Sequence, residues 1–148
     1  MAPRIDYPAV APEVYKALNG AHAALHRTGL DKKLIDLVFQ RVSQINGCAY
    51  CVELHGRDLR AQGETPERLD SIAAWHESPY FTEREKAALA WAESLTNVAT
   101  THAPDEVYAV VRRHFSEVET ANLTYAAALM NAFNRIAVGL RREPPKKG

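Results

Sequence analysis

Start signals for α-helices recur along this chain at spacings that leave little room for other structure. Thr82 with Glu85, and Ser116 with Glu119, place a hydroxyl three residues before a glutamate. That pattern satisfies reciprocally the free N–H groups of a helix's first turn. Thr65-Pro66-Glu67 adds a capping threonine followed by proline at the first helical position, where the missing N–H costs nothing. Thr28-Gly29, Asn46-Gly47 and Gly63 supply the matching stops. The signals predict helices over about 11–27, 31–46, 48–63, 66–75 and 82–98, a short one from Pro104, and a long last one over 116–140. Alternating apolar and polar runs are nearly absent. Asn46-Gly47 would mark a hairpin between such runs; without them it reads as a helix-to-helix break. The expected fold class is all-α: a single-domain bundle of about seven helices spanning 1–148, with no repeat and no linker.

Charge and hydropathy remove several function classes. Lysine plus arginine and aspartate plus glutamate number 18 each, so no net field draws the protein to nucleic acid or to an anionic membrane. Arg141, Arg142, Lys146 and Lys147 form a basic cluster that reads as a frayed, solvated end, so a disordered tail is expected over about 141–148. No apolar run approaches the roughly 20 residues that span a bilayer, and Met1–Asp6 lacks the apolar stretch of a secretory signal. The expected address is cytoplasmic. Thiols there stay reduced, so a close cysteine pair is more often catalytic or metal-binding than a structural staple.

That pair is Cys48 and Cys51, with His55 following. Residues three and four apart on a helix share a face, so the two sulfurs can meet and an imidazole lies one turn beyond Cys51. The break at Asn46-Gly47 puts the pair in the first turn of a helix, where free N–H groups and the positive end of the dipole favour thiolate. A thiolate attacks a peroxide oxygen to give a sulfenic acid, and a second thiol condenses with it to a disulfide. Two other chemistries fit the same residues. The cysteines could be buried and inert. Alternatively, Cys48, Cys51 and His55 could hold zinc, although no second set of ligands accompanies them. A thioredoxin-like fold would need a βαβ pattern, which is missing.

The run from Arg41 to Cys51, with His55 after it, resembles the core motif of the alkylhydroperoxidase D-like proteins of the carboxymuconolactone decarboxylase superfamily. Ala73-Ala74-Trp75, Glu77-Ser78-Pro79, Phe81–Glu85, Leu89, Trp91-Ala92-Glu93 and Asn131–Arg135 extend the likeness over roughly Leu30 to Ala137. The resemblance implies an all-helical fold assembled as a homo-oligomer, trimer or hexamer, without cofactor or metal. It implies peroxidase activity on a hydroperoxide substrate, with Cys51 as the peroxidatic cysteine and Cys48 as the resolving one. A thiol or dithiol reductant resets the pair. It also implies a proton relay between His55 and an acidic residue. The family's usual glutamate falls at Asp36, one methylene shorter, and Tyr50 stands where some members carry histidine. The alternative function is a thiol–disulfide oxidoreductase or redox sensor built on the same pair.

Other polar positions read as structural. His22 and His26, four apart on the first helix, read as a partly exposed face. Trp75 and Trp91 read as core packing. Asn131 and Asn134 lie on an otherwise apolar helix. Buried amides need partners, so they are expected to brace the active-site region or a subunit interface.

Overall fold

The structure, a computed structural model, describes residues 1–144, and these form nine α-helices with no strand among them. In chain order these are α1 (Tyr7–Val10), α2 (Pro12–Leu25), α3 (Lys32–Asn46), α4 (Ala49–Ala61), α5 (Pro66–Ser71), α6 (Glu83–Thr96), α7 (Val98–Thr101), α8 (Asp105–His114) and α9 (Glu117–Leu140). The capping signals act as expected. Both capping boxes close, with Thr82 and Ser116 each accepting from the N–H of the glutamate three residues on. Thr65 caps α5, which continues as a 3₁₀ turn over Ile72–Ala74 instead of an α-helix to Trp75. The count of about seven is exceeded by two four-residue helices, α1 and α7, each too short to show a period.

The core is organised around α3, which packs against α9, α4 and α6. Leu34, Leu37, Val38 and Val42 form a buried stripe along it, and Ile35 and Phe39 are buried on the adjoining side. A helix covered nearly all round belongs in the middle of a bundle, and each such side chain contributes roughly 1.5–3 kcal/mol by leaving water. Ala88 and Ala92 of α6 share the main core cluster with Ala126 and Ala127 of α9, where short side chains let two backbones approach. A second cluster joins Leu37, Leu59, Ile72, Trp75, Phe81 and Leu89. Both tryptophans are buried with their indole N–H groups bonded, Trp75 to Glu93 and Trp91 to Thr124.

The chain does not fray where the basic cluster begins. Arg141 adopts a left-handed conformation that ends α9, and its neighbour Arg142 folds back so that its guanidinium donates to the hydroxyls of Tyr7 and Tyr15. Cation–aromatic contacts and two hydrogen bonds hold this arginine against the helices. The disordered reading therefore fails at Arg141 and Arg142. Lys146 and Lys147 lie outside the described residues.

Candidate active site at the Cys48–Cys51 pair

The position of the cysteines follows from how α3 stops. Gly47 takes φ of +67°, a left-handed conformation that glycine adopts without penalty. Its N–H bonds to the carbonyl of Gln44, and the N–H of Cys48 bonds to the carbonyl of Ser43 at 3.0 Å. This paired closure is the Schellman motif, which satisfies carbonyls left free at a helix end. Cys48 is at once the last residue of that motif and the N-cap of α4, its sulfur accepting from the N–H of Cys51 at 3.3 Å. The two sulfurs are joined in a disulfide with Cα atoms 5.3 Å apart. Both cysteines are buried, packed beside Ala137 and Tyr50.

Side-chain amides anchor this junction to the rest of the bundle. Asn46 donates to Asn131 and Asn134, at 2.9 and 3.0 Å, and Asn134 donates to Ser43 Oγ at 3.0 Å. Asn131 in turn donates to Thr96 of α6 at 3.1 Å. The two asparagines of α9 thus brace the end of α3 that delivers Cys48.

Cys51 and His55 line one cavity of about 130 Å³. His55 is 3% exposed and packs on Phe39, ring centroids 5.2 Å apart. Its Nδ1 is buried without a hydrogen-bond partner. Burial pushes its pKa down to about 4, outweighing the Asp36 carboxylate, which acts in the opposite direction. The imidazole is therefore neutral near pH 7. Asp36 is 2% exposed and close enough to act on His55 through space, but no hydrogen bond joins them. Its carboxylate is held by Lys32 at 2.6 Å and by the amide of Gln62. Cys48, Cys51, His55 and Asp36 all belong to this region. Among the described residues, no group of three or more His, Cys, Asp or Glu side chains is placed to share a metal ion.

The cavity also contains residues to which the sequence reading gave no role in the site. Tyr7, Tyr15, Asn19 and His22 from α1 and α2 line it, as do Tyr50 and Arg142. His22 lies on a partly exposed helix face, as expected, but it also packs inward. It is half-buried and stacks on Phe39 at 5.5 Å, so Phe39 lies between two imidazoles. Burial, followed by the neighbouring His26, lowers its pKa. The spacing of Tyr15, Asn19 and His22, four and three apart, is a polar stripe along one helix face and a signal that could have been read. Nothing local in the sequence places Arg142 there.

Residues 12–94 match the carboxymuconolactone decarboxylase family. Uncharacterized protein YdfG of Bacillus subtilis is 33% identical over 147 residues, which cover 99% of this chain and 100% of YdfG. The fold is also similar to a protein of unknown function from Agrobacterium tumefaciens, provisionally identified as an antioxidant defence protein AhpD. The TM-score is 0.95 and the identity 38%, over 99% of this chain and 100% of that one. An uncharacterized peroxidase-related protein from Ralstonia eutropha with an alkylhydroperoxidase AhpD core matches at a TM-score of 0.82 and 25% identity. That match covers 94% of this chain and 74% of the other.

Proposed function

Because the chain belongs to the carboxymuconolactone decarboxylase family, and its one cysteine pair opens onto a cavity with a neutral histidine, we propose that it is a thiol peroxidase. Its substrate is a hydroperoxide, and a thiol or dithiol resets it. The observation that carries this function is the shared cavity: Cys51 and His55 line it together, while Cys48 is held behind Cys51 as the N-cap of α4.

In the reduced enzyme the neutral imidazole of His55 takes the Cys51 proton. The thiolate attacks the outer oxygen of the hydroperoxide, and the O–O bond breaks. Sulfur becomes a sulfenic acid, and the departing alkoxide takes the proton back from His55 and leaves as the alcohol. Cys48 then attacks the Cys51 sulfur, water leaves and the disulfide forms. A dithiol returns two electrons and two protons, closing to its own disulfide. Asp36 completes the relay by favouring the protonated form of His55 through space, with Lys32 and Gln62 fixing its carboxylate.

In the test, reduced protein is mixed with one equivalent of an organic hydroperoxide, and free thiols and intact mass are followed. Wild type is expected to lose both thiols to an internal disulfide. Cys48→Ser should stop after one turnover with a trappable sulfenic acid, and Cys51→Ser should fall to the uncatalysed background. Full activity in Cys51→Ser would overturn the assignment.

A second function, thiol–disulfide oxidoreductase or redox sensor, is favoured by one feature. A separate surface groove of about 260 Å³ reaches Cys48, lined by Gly47, Ala49, Val138 and Arg141 among others. A protein thiol or disulfide would approach there, and relative rates with peroxide and with a protein disulfide separate the two. Self-association is supported by exposed Val118 and Tyr125 on α9 and by an apolar hollow between α2 and α9, and the trimer or hexamer comes from the family resemblance alone. Among the described residues no helix is long and apolar enough to cross a membrane. A cytoplasmic address suits a cycle that needs reduced thiols.

A further inference from the structure

Among the described residues, the wall of the active cavity contains a cation with no anion beside it. Arg142 Nη1 donates to Tyr7 Oη at 3.0 Å and Tyr15 Oη at 3.2 Å, and the guanidinium lies 4.2 Å from the Tyr50 ring centroid. The partners are tyrosine side chains, and the hydrogen bond from Arg142 lowers the pKa of the Tyr15 hydroxyl. Among the described residues no carboxylate lies within ion-pair distance of it. A guanidinium has five N–H donors, and the Nε and Nη2 donors of Arg142 meet no acceptor among those residues. Burial acts to lower its pKa, but its bonds to Tyr15 and Tyr7 outweigh that and hold it above the ordinary arginine value. The charge is therefore permanent.

Holding a half-buried cation without a counterion costs free energy. This one is nevertheless fixed by groups from α1, α2 and α4, and the fork of donors it keeps is the one that binds a carboxylate with two parallel bonds. The same chamber has apolar walls at Leu54, Met130, Phe133 and Ala137. Its volume of about 130 Å³ is close to that of an engineered cavity of about 150 Å³ that takes up benzene. An occupant therefore has a compact body of roughly six carbons.

We propose that Arg142, with Tyr7 and Tyr15, is a carboxylate-binding subsite, and that the hydroperoxides this site takes are those of small organic acids. The inference rests on the peroxidase function above. The acid group binds Arg142, the hydrocarbon body lies on Leu54, Met130 and Phe133, and the peroxide oxygen reaches Cys51. The carboxylate is unchanged by the reaction. The O–O bond breaks at the Cys51 sulfur, and the hydroxy acid leaves.

Two measurements test this separately from the peroxidase chemistry. The first is calorimetric binding of 4-methylpentanoate and its neutral isostere 4-methylpentanamide to the oxidised protein, which needs no turnover. The acid is expected to bind at least about tenfold more tightly, the scale of a hydrogen-bonded charge pair. Arg142→Gln should remove the difference. Tyr15→Phe, which deletes one hydroxyl, should reduce it and serves if Arg142→Gln fails to fold. The second is the ratio of kcat/KM for 4-hydroperoxy-4-methylpentanoate over tert-butyl hydroperoxide, expected to exceed about ten in wild type and to approach one in Arg142→Gln. Equal binding of acid and amide, or turnover of both peroxides without preference, would overturn the subsite and leave the peroxidase standing. Selective acid binding with no turnover of either peroxide would support the subsite and sink the peroxidase.

Discussion

His55 is the residue where burial and function pull on the same proton. Its imidazole stays neutral to about pH 4 because the surrounding bundle excludes water, even with the Asp36 carboxylate near. In the unfolded chain it returns to its ordinary value of 6.5. Between those values the unfolded state binds more protons than the folded one, so stability falls as the pH drops through that window. From pH 7 to pH 5 the loss from this one group is about 2 kcal/mol. Urea unfolding of the oxidised protein at the two pH values should show it, and His55→Gln should lose most of the slope. A residual slope of the same sign is expected from His22, whose pKa is also lowered. An unchanged pH dependence in His55→Gln would mean that the imidazole is not desolvated. The spacing of His55 from Cys51 on one helix face was legible in the sequence. Its environment was not, because Phe39 packs on it from another helix, with His22 stacked on Phe39 in turn.

At the level of elements, the junction between α3 and α4 sets the geometry of the cysteine pair. The sequence showed why a helix must stop at Asn46-Gly47 and another must start, since left-handed glycine and a capping side chain are local devices. It also showed both capping boxes and the long last helix, which depend only on residues three or four apart. It did not show α1 and α7, because one turn of helix has no period and owes its existence to contacts elsewhere. The amide network lies between these cases. Asn131 and Asn134 stood out as polar residues on an apolar helix, yet only the fold reveals that they hold Asn46 and Ser43. Asn134 is fully buried. Asn134→Ala should destabilise the protein by about 2–3 kcal/mol in urea, because Ser43 and part of Asn46 lose their partner. It should also slow disulfide closure after a hydroperoxide pulse, since Cys48 follows directly on that anchored end. Loss of stability with an unchanged closure rate would reduce the network to packing.

At the scale of the whole molecule, the two ends of the described chain meet over the cavity. Arg142 reaches Tyr7 across 135 residues, and the Arg4 backbone N–H bonds to the carbonyl of Leu140 at 3.0 Å. No pattern of spacing could announce such a contact, so a basic cluster that looked like a solvated tail supplies part of the site. Few contacts hold this closure: α1 contains no buried residue, and the segment is tied to the C-terminal end by an exposed Arg4 and a half-buried Tyr7. Segments of this kind open at little free-energy cost compared with the core. Deleting residues 1–10 should therefore lower stability by about 3 kcal/mol, the net value of the three bonds that Arg4 and Tyr7 make to Gly139, Leu140 and Arg142. Access to Cys51 should change far more, because Tyr7 lines the cavity and positions Arg142. In the reduced protein, iodoacetamide and a bulky aryl maleimide should label Cys51 at rates that differ widely in the full chain and converge in the deletion. Convergence without a large fall in stability would show that the chain ends act as a size filter for the thiol. A large stability loss would instead make α1 part of the structural core and the filter a by-product of it.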